Sequence, residues 1–334
     1  MNVLLIQIDG KMPNLALMRI AGHHSVHGDR VELRRGPDVG GLFDEPFDRV
    51  YASTIFEGSR PTAQKALNIY PGAIIGGTGW DLGRRLEDVG ITSGNLDYSI
   101  YPEYRQSIGF AMRGCRFHCP FCVVPAKEGH ARPGDTIAEI WRGEPWPREI
   151  VLLDNDFFGN PEWYQRLAEI RDGRFKVCFT QGINARILTS EQAESIASVD
   201  YRDLKMTKRR LYMAWDNTRD ETRFFAGLEL LCRNGIRPRH LLVYMLIGYA
   251  AGETHADRDY RRRKLREFGA LPYPMPYRRT AELVGFQRWV VGAYDKRVTW
   301  KDWTAANYEP RRLGKHQPLP MDECDPEFPE AVMI

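Results

Sequence analysis

Apolar residues along this chain fall into short continuous runs, each closed by turn residues and followed by a stretch of helical period. Val3-Leu4-Leu5-Ile6-Gln7-Ile8 predicts a buried strand that ends at Asp9-Gly10. A short helix is expected from Pro13-Asn14 to Ala21, stopped by Gly22. Arg49 to Ala52 reads as a strand and Ala63 to Tyr70 as a helix. Ala73 to Gly79 reads as a strand running into a glycine loop. Strand and helix alternating at this spacing predict a small parallel, Rossmann-like sheet over residues 1–100.

A Tyr- and Pro-rich crossover, Asp97 to Tyr104, leads into a more regular second half. Strands are expected at Ser107 to Met112, Glu149 to Leu153, Phe175 to Thr180, Leu211 to Trp215, His240 to Gly248 and Leu271 to Tyr277. Between them the spacing predicts helices near Thr136 to Trp141, Asn160 to Ile170, from Thr189, Asp220 to Arg233 and Thr254 to Phe268; Thr280 to Gly292 closes the series. Six strand–helix units predict a partial parallel barrel over 105–280. Residues 281–334 would add a helix and an irregular tail without periodicity. The fold class is therefore α/β.

Composition narrows the picture modestly. The 334 residues suffice for two units with a substantial core, and 27% charged with 43% hydrophobic residues is ordinary for a globular chain. A net charge of +3 demands no nucleic acid as partner. Basic runs do occur at Lys205 to Arg210, Arg261-Arg262-Arg263-Lys264 and Arg311-Arg312; such runs are usually solvated faces. The longest apolar run, Leu241 to Ala251, is too short to span a bilayer, and no secretory leader is read at the start. Cys178 and Cys232 lie in apolar stretches as expected core residues, and Cys324 is isolated. A reducing, cytoplasmic compartment and no membrane partner are expected.

The chemistry concentrates in Arg113-Gly114-Cys115-Arg116-Phe117-His118-Cys119-Pro120-Phe121-Cys122. Three cysteines at a C-x3-C-x2-C spacing directly follow a strand, so their thiolates can converge on one inorganic centre. Three are one too few for a closed four-cysteine site. The spacing suggests a cubane cluster with one iron left open. Zinc is the alternative, with His118 or His130 as the fourth ligand. In parallel α/β folds functional side chains collect at the carboxyl ends of strands. Asp154-Asn155-Asp156, Gln181 to Arg186, Asp216 and Gly248-Tyr249 stand at those ends, although turn and cap chemistry accounts for any one of them alone.

The cysteine loop, with aromatic Phe121 just before its last cysteine, resembles the cluster loop of the radical S-adenosylmethionine (radical SAM) superfamily. That resemblance implies a 4Fe–4S cluster on Cys115, Cys119 and Cys122, with S-adenosylmethionine on the open iron. Phe121 would lie near the adenine, and Gly248 and Tyr249 would line the adenine side. Asp154, Asn155 and Asp156 stand where the family has its glycine-glycine-glutamate methionine contact, although those glycines are missing here. Asn184, Arg186 and Asp216 would reach the ribose and carboxylate. An external one-electron reductant of flavodoxin or ferredoxin type would be the partner. Reductive cleavage would yield a 5′-deoxyadenosyl radical that abstracts hydrogen from a substrate.

Residues 1–100 resemble the cobalamin-binding domains that precede many radical SAM cores, but the Asp-x-His-x-x-Gly pattern is absent and His23, His24 and His27 do not reproduce its spacing. Cobalamin is therefore not expected, and the unit reads as a scaffold that helps shape a substrate pocket. Gly76-Gly77-x-Gly79 is a weak candidate phosphate loop. The substrate is open between a nucleic-acid base or nucleotide, suited to aromatics and cations, and a small metabolite or peptide. Methylthiotransferases need further amino-terminal cysteines, and residues 1–114 contain none. A non-catalytic iron–sulfur or zinc protein is the remaining alternative.

Overall fold

A computed structural model describes residues 1–36, 39–40, 46–92 and 95–304. The fold is α/β with parallel sheets. In the first unit β1 (Asn2–Gln7), β2 (Arg30–Arg35), β3 (Arg49–Ser53) and β4 (Ile74–Gly76) form an all-parallel sheet in the order β2-β1-β3-β4. Helices α1 (Leu15–Val26) and α2 (Arg60–Ile69) connect β1 to β2 and β3 to β4. Asn14 caps α1 by accepting from the Leu17 N–H, and Pro61 opens the first turn of α2.

Helix α1 corrects one expectation: it runs through Gly22 to Val26. A Cβ at Gly22 would meet the Asn95 carbonyl oxygen at 2.0 Å, so this glycine admits a neighbouring backbone and does not end the helix. Strand β2 has no counterpart in the sequence reading. Its two apolar residues, Val31 and Leu33, stand among charges, and it lies at the sheet edge, where burying one face suffices.

The second unit carries β5 (Ser107–Gly109), β6 (Met112–Arg113), α3 (Val124–Glu128), β7 (Arg132–Pro133), α4 (Ile137–Ile140), β8 (Glu149–Leu152), α5 (Trp163–Asp172) and β9 (Lys176–Phe179). It continues with α6 (Ser190–Ala197), β10 (Asp200–Tyr201), β11 (Leu211–Ala214), α7 (Glu221–Arg233), β12 (Leu241–Ile247), α8 (His255–Phe268), β13 (Leu271–Pro276) and α9 (Ala281–Val291). Strands β5, β8, β9 and β10 pair in parallel, as do β11, β12 and β13. An isolated parallel bridge, Ile183 to Met213, joins the two sheets. Five of the six expected strands are present close to their expected bounds, and the first is shorter than expected.

Alternation along these strands serves two cores. Ile150 and Leu152 of β8 pack with Ile140, Leu167 and Ile170 from the helices. Val151 and Leu153 face the other way, toward Met18 from the first unit, Tyr101 from the crossover, and Cys178, Tyr212 and Tyr244 from neighbouring strands. The crossover is thus core material. Tyr98 OH accepts from the Ile108 N–H at 2.9 Å, and Tyr101 OH donates to Gln7 Oε1 at 2.8 Å. Cys178 is fully buried as expected, and Cys232 is half-buried.

The expected strand 107–112 breaks into β5 and β6. The Ala111 N–H donates to Asp154 Oδ1 and its carbonyl accepts from Asn160 Nδ2, each at 2.9 Å, so Ala111 cannot extend the ladder. Asn160 is spent there and on the Glu162 N–H, and α5 starts at Trp163. The tail expected after Thr299 is helical from Trp300 to Thr304; beyond that it lies outside the described residues, with Arg311, Arg312 and Cys324. Among the described residues no helix is long and apolar enough to cross a membrane.

Candidate functional site

Parallel pairing, carried across the Ile183–Met213 bridge, sets the carboxyl ends of β5, β8, β9, β11, β12 and β13 on one side. The cysteine loop hangs between β6 and α3. Gly114 allows its sharp entry: φ is +78°, and a Cβ there would strike the His130 carbonyl oxygen at 2.1 Å. The Cys115 N–H donates to the Gly129 carbonyl, and Cys122 N–H closes back on the Cys119 carbonyl at 2.9 Å.

All three thiols are free and half-buried. Burial pushes each of them up, Cys115 to about 11, and the Cys119 and Cys122 charges add to the rise at Cys115. Arg186 acts in the opposite sense on Cys119. The thiols are therefore electrostatic neighbours. They are not drawn onto one point: among the described residues no three His, Cys, Asp or Glu side chains are grouped to hold a metal ion. His118 and His130, nominated for zinc, stand edge to face with ring centroids 6.0 Å apart.

The loop after β8 clamps the cysteine loop. Asp156, buried, accepts from Arg116 through Nε at 2.7 Å, Nη2 at 2.9 Å and the backbone N–H at 3.2 Å. Asp154 is buried with only one oxygen satisfied. Oδ2 has no partner, and burial pushes the carboxyl up to about 8. Asn155 between them is half-buried, and its side chain makes no hydrogen bond among the described residues. Of these three expected cofactor contacts, Asp156 is thus engaged within the protein, Asp154 is half engaged, and Asn155 is the polar side chain left over.

Beyond β9, Asn184 Oδ1 accepts from the Arg186 N–H and Nε, which aims the guanidinium; its Nη1 pairs with Asp220 at 2.7 Å. The same guanidinium lies 5.4 Å from the centre of the Phe117 ring, so this loop reaches the cysteine loop. Asp216, after β11, accepts from the Leu246 N–H at 2.9 Å, and burial pushes its carboxyl up. Phe121 meets Tyr249 edge to face at 5.3 Å, and Tyr249 meets Tyr277 at 4.9 Å. Gly248, at φ +75°, makes the turn that presents Tyr249.

Arg116, Phe117, Asp220, Glu253 and Arg261 belong to the site without having been expected there. Arg261 corrects the reading of the 261–264 run as a solvated basic face. It is 2% exposed, donates to the carbonyls of Trp215, Asp216 and Leu246, and pairs with Glu253, which in turn accepts from the Gly248 N–H. Arg262 and Arg266 pair with Asp295. Arg209 pairs with Asp200 and lies over Tyr201. The cations of α8 are largely neutralised within the chain. The nearest sequence signal was the one-turn spacing of Arg258, Arg261 and Arg262 on the same helix face as Leu265.

The first unit's candidates resolve differently. His24 is buried, with Nδ1 on Asp29 at 2.7 Å and Nε2 on Tyr51 OH at 3.2 Å, while His23 and His27 pair ring to ring. Gly77 and Gly79 admit the 54–56 backbone: a Cβ would meet the Thr54 oxygen at 2.2 Å or the Phe56 oxygen at 2.5 Å. Comparison with family models, curated proteins and solved structures finds no match for this chain.

Proposed function

We propose that this chain is a radical SAM enzyme in which residues 105–280 act as the partial (β/α)6 barrel and residues 1–100 as a Rossmann-like scaffold. The observation that carries the reading is the rim where a three-cysteine loop meets an aromatic wall, a restrained guanidinium, the buried carboxyl of Asp154 and the partly buried carboxyl of Asp216. Three soft donors without a fourth protein ligand suit an iron–sulfur cluster that keeps one iron for a cofactor. When bound, the cluster and S-adenosylmethionine supply one-electron cleavage of the sulfonium and hydrogen abstraction from a substrate.

The chain's own residues would bind, orient and exclude water. Cys115, Cys119 and Cys122 hold the cluster, and Arg186 favours the thiolate of Cys119. Phe121 and Tyr249 offer an edge-to-face corner for a planar base. Asn155, with its carboxamide uncommitted, reaches the methionine amino group. Asp216 and Asn184 serve the ribose side. An external one-electron reductant of flavodoxin or ferredoxin type completes the reaction. Anaerobic reconstitution with iron and sulfide tests this directly. The wild-type protein should turn brown and form 5′-deoxyadenosine with dithionite, and Cys122→Ala should lose both. Normal 5′-deoxyadenosine formation by Cys122→Ala, or a colourless wild-type protein holding zinc, ends the proposal.

A further inference from the structure

One group of cations differs from the paired arginines of α8. It lies along the seam where the loop after β4 meets α3, the short helix that leaves the cysteine loop. Lys127 is half-buried there, and its ammonium donates to Thr78 Oγ1, a neutral hydroxyl. Arg85 donates to the carbonyls of Leu82 and Lys127 at 2.7 and 2.8 Å. Arg132 donates to the carbonyls of Glu128 and His130, and Arg60 to that of Trp80. None of these four cations has a carboxylate partner among the described residues. The acids nearby are committed: Glu128 to Arg113, Asp81 to Arg84, and Asp88 to the Arg85 backbone N–H.

A half-buried ammonium with only a hydroxyl partner is costly, and an anion would repay it. Desolvation holds the Lys127 pKa down, Glu128 opposes that, and Arg113 and Arg85 add to it. The Thr78 backbone N–H, in the glycine loop, makes no hydrogen bond among the described residues, so a donor lies beside the ammonium.

We infer that this seam is an anion site that takes a phosphate group, anchored by Lys127 Nζ and flanked by Arg85. That the phosphate belongs to the substrate rests on the function proposed above, because Lys127 lies on the helix leaving Cys122. The ligand chemistry is a phosphate ester, either a free nucleotide or the backbone of a single-stranded oligonucleotide.

Titration calorimetry on the full chain without a cluster tests it, using pyrophosphate, adenosine monophosphate, adenosine and a short oligonucleotide at low salt. Pyrophosphate should bind, and the monophosphate should bind more tightly than adenosine. Lys127→Gln should weaken binding by roughly tenfold, the loss of one charge-assisted contact, and Lys127→Arg should restore most of it. Arg85→Gln, at an exposed position, should weaken it by roughly threefold even if Lys127→Gln fails to fold. Binding that tightens with oligonucleotide length assigns a polymer, and equal binding assigns a mononucleotide. Unchanged affinity in both the Lys127→Gln and Arg85→Gln variants, or no binding of any phosphate compound, overturns the inference. Phosphate binding without 5′-deoxyadenosine formation would sink the proposed function alone, and the reverse result would sink only this site.

Discussion

Asp9 and Asp154 occupy equivalent places in the two units, each just beyond the carboxyl end of a parallel strand, and they have opposite surroundings. Asp9 follows β1 at the point where the order β2-β1-β3-β4 reverses direction, the crevice in which doubly wound sheets bind ligands. Its carboxylate accepts from Thr54 Oγ1 and the Ile55 N–H at 2.7 Å and from the Phe56 N–H at 2.9 Å. The crevice is closed by the protein's own bonds. Asp154 follows β8, is fully buried, and leaves one oxygen without a partner. The same backbone geometry thus yields a latch in one sheet and an unsatisfied acid beneath a cysteine loop in the other. What separates the two strand ends is whether the local donors exhaust the acceptor.

The largest expected effect tests Asp154. Its carboxyl is raised from 3.8 in the unfolded chain to about 8 in the fold, so the folded state binds the extra proton between those values. This contribution to stability is complete below the unfolded value and is lost as pH rises toward 8, at up to about 1.4 kcal/mol per pH unit. Asp154→Asn should flatten that slope in urea unfolding measured from pH 5 to 9. An unchanged slope would make the two carboxylates alike and break the comparison.

Asp9→Ala comes next. It strands the Ile55 and Phe56 N–H groups and should cost about 2–4 kcal/mol of unfolding free energy. Reductive S-adenosylmethionine cleavage per folded molecule should stay the same, which sharpens the division between latch and site. A selective loss of cleavage at unchanged stability would place Asp9 in the chemistry instead. The smallest effect is expected for Tyr249→Leu. Tyr249 is 37% exposed and holds edge-to-face contacts with Phe121 and Tyr277, so stability should change by less than about 1 kcal/mol. The half-saturating S-adenosylmethionine concentration should rise severalfold, and no rise would remove Tyr249 from the proposed cofactor site.

Local pattern determined much of the molecule. The continuous apolar runs became β1, β8, β9, β11 and β12, because a strand covered on both faces needs no alternation with polar residues. Thr136, Thr189 and Thr254 closed capping boxes, a device contained within four neighbouring residues. The cysteine spacing and the polar strand ends were legible for the same reason: each lies within one loop. Tertiary structure alone decided what those groups meet. Gly22 continues a helix because Asn95 approaches from far along the chain, and Ala111 interrupts a strand because Asp154 and Asn160 take both its backbone groups. Arg261 is buried against three carbonyls and Glu253, whereas Lys127 and Arg85 end on neutral oxygens. A run of charges in sequence carries no record of its partners, because burial and pairing are set by segments brought together only on folding.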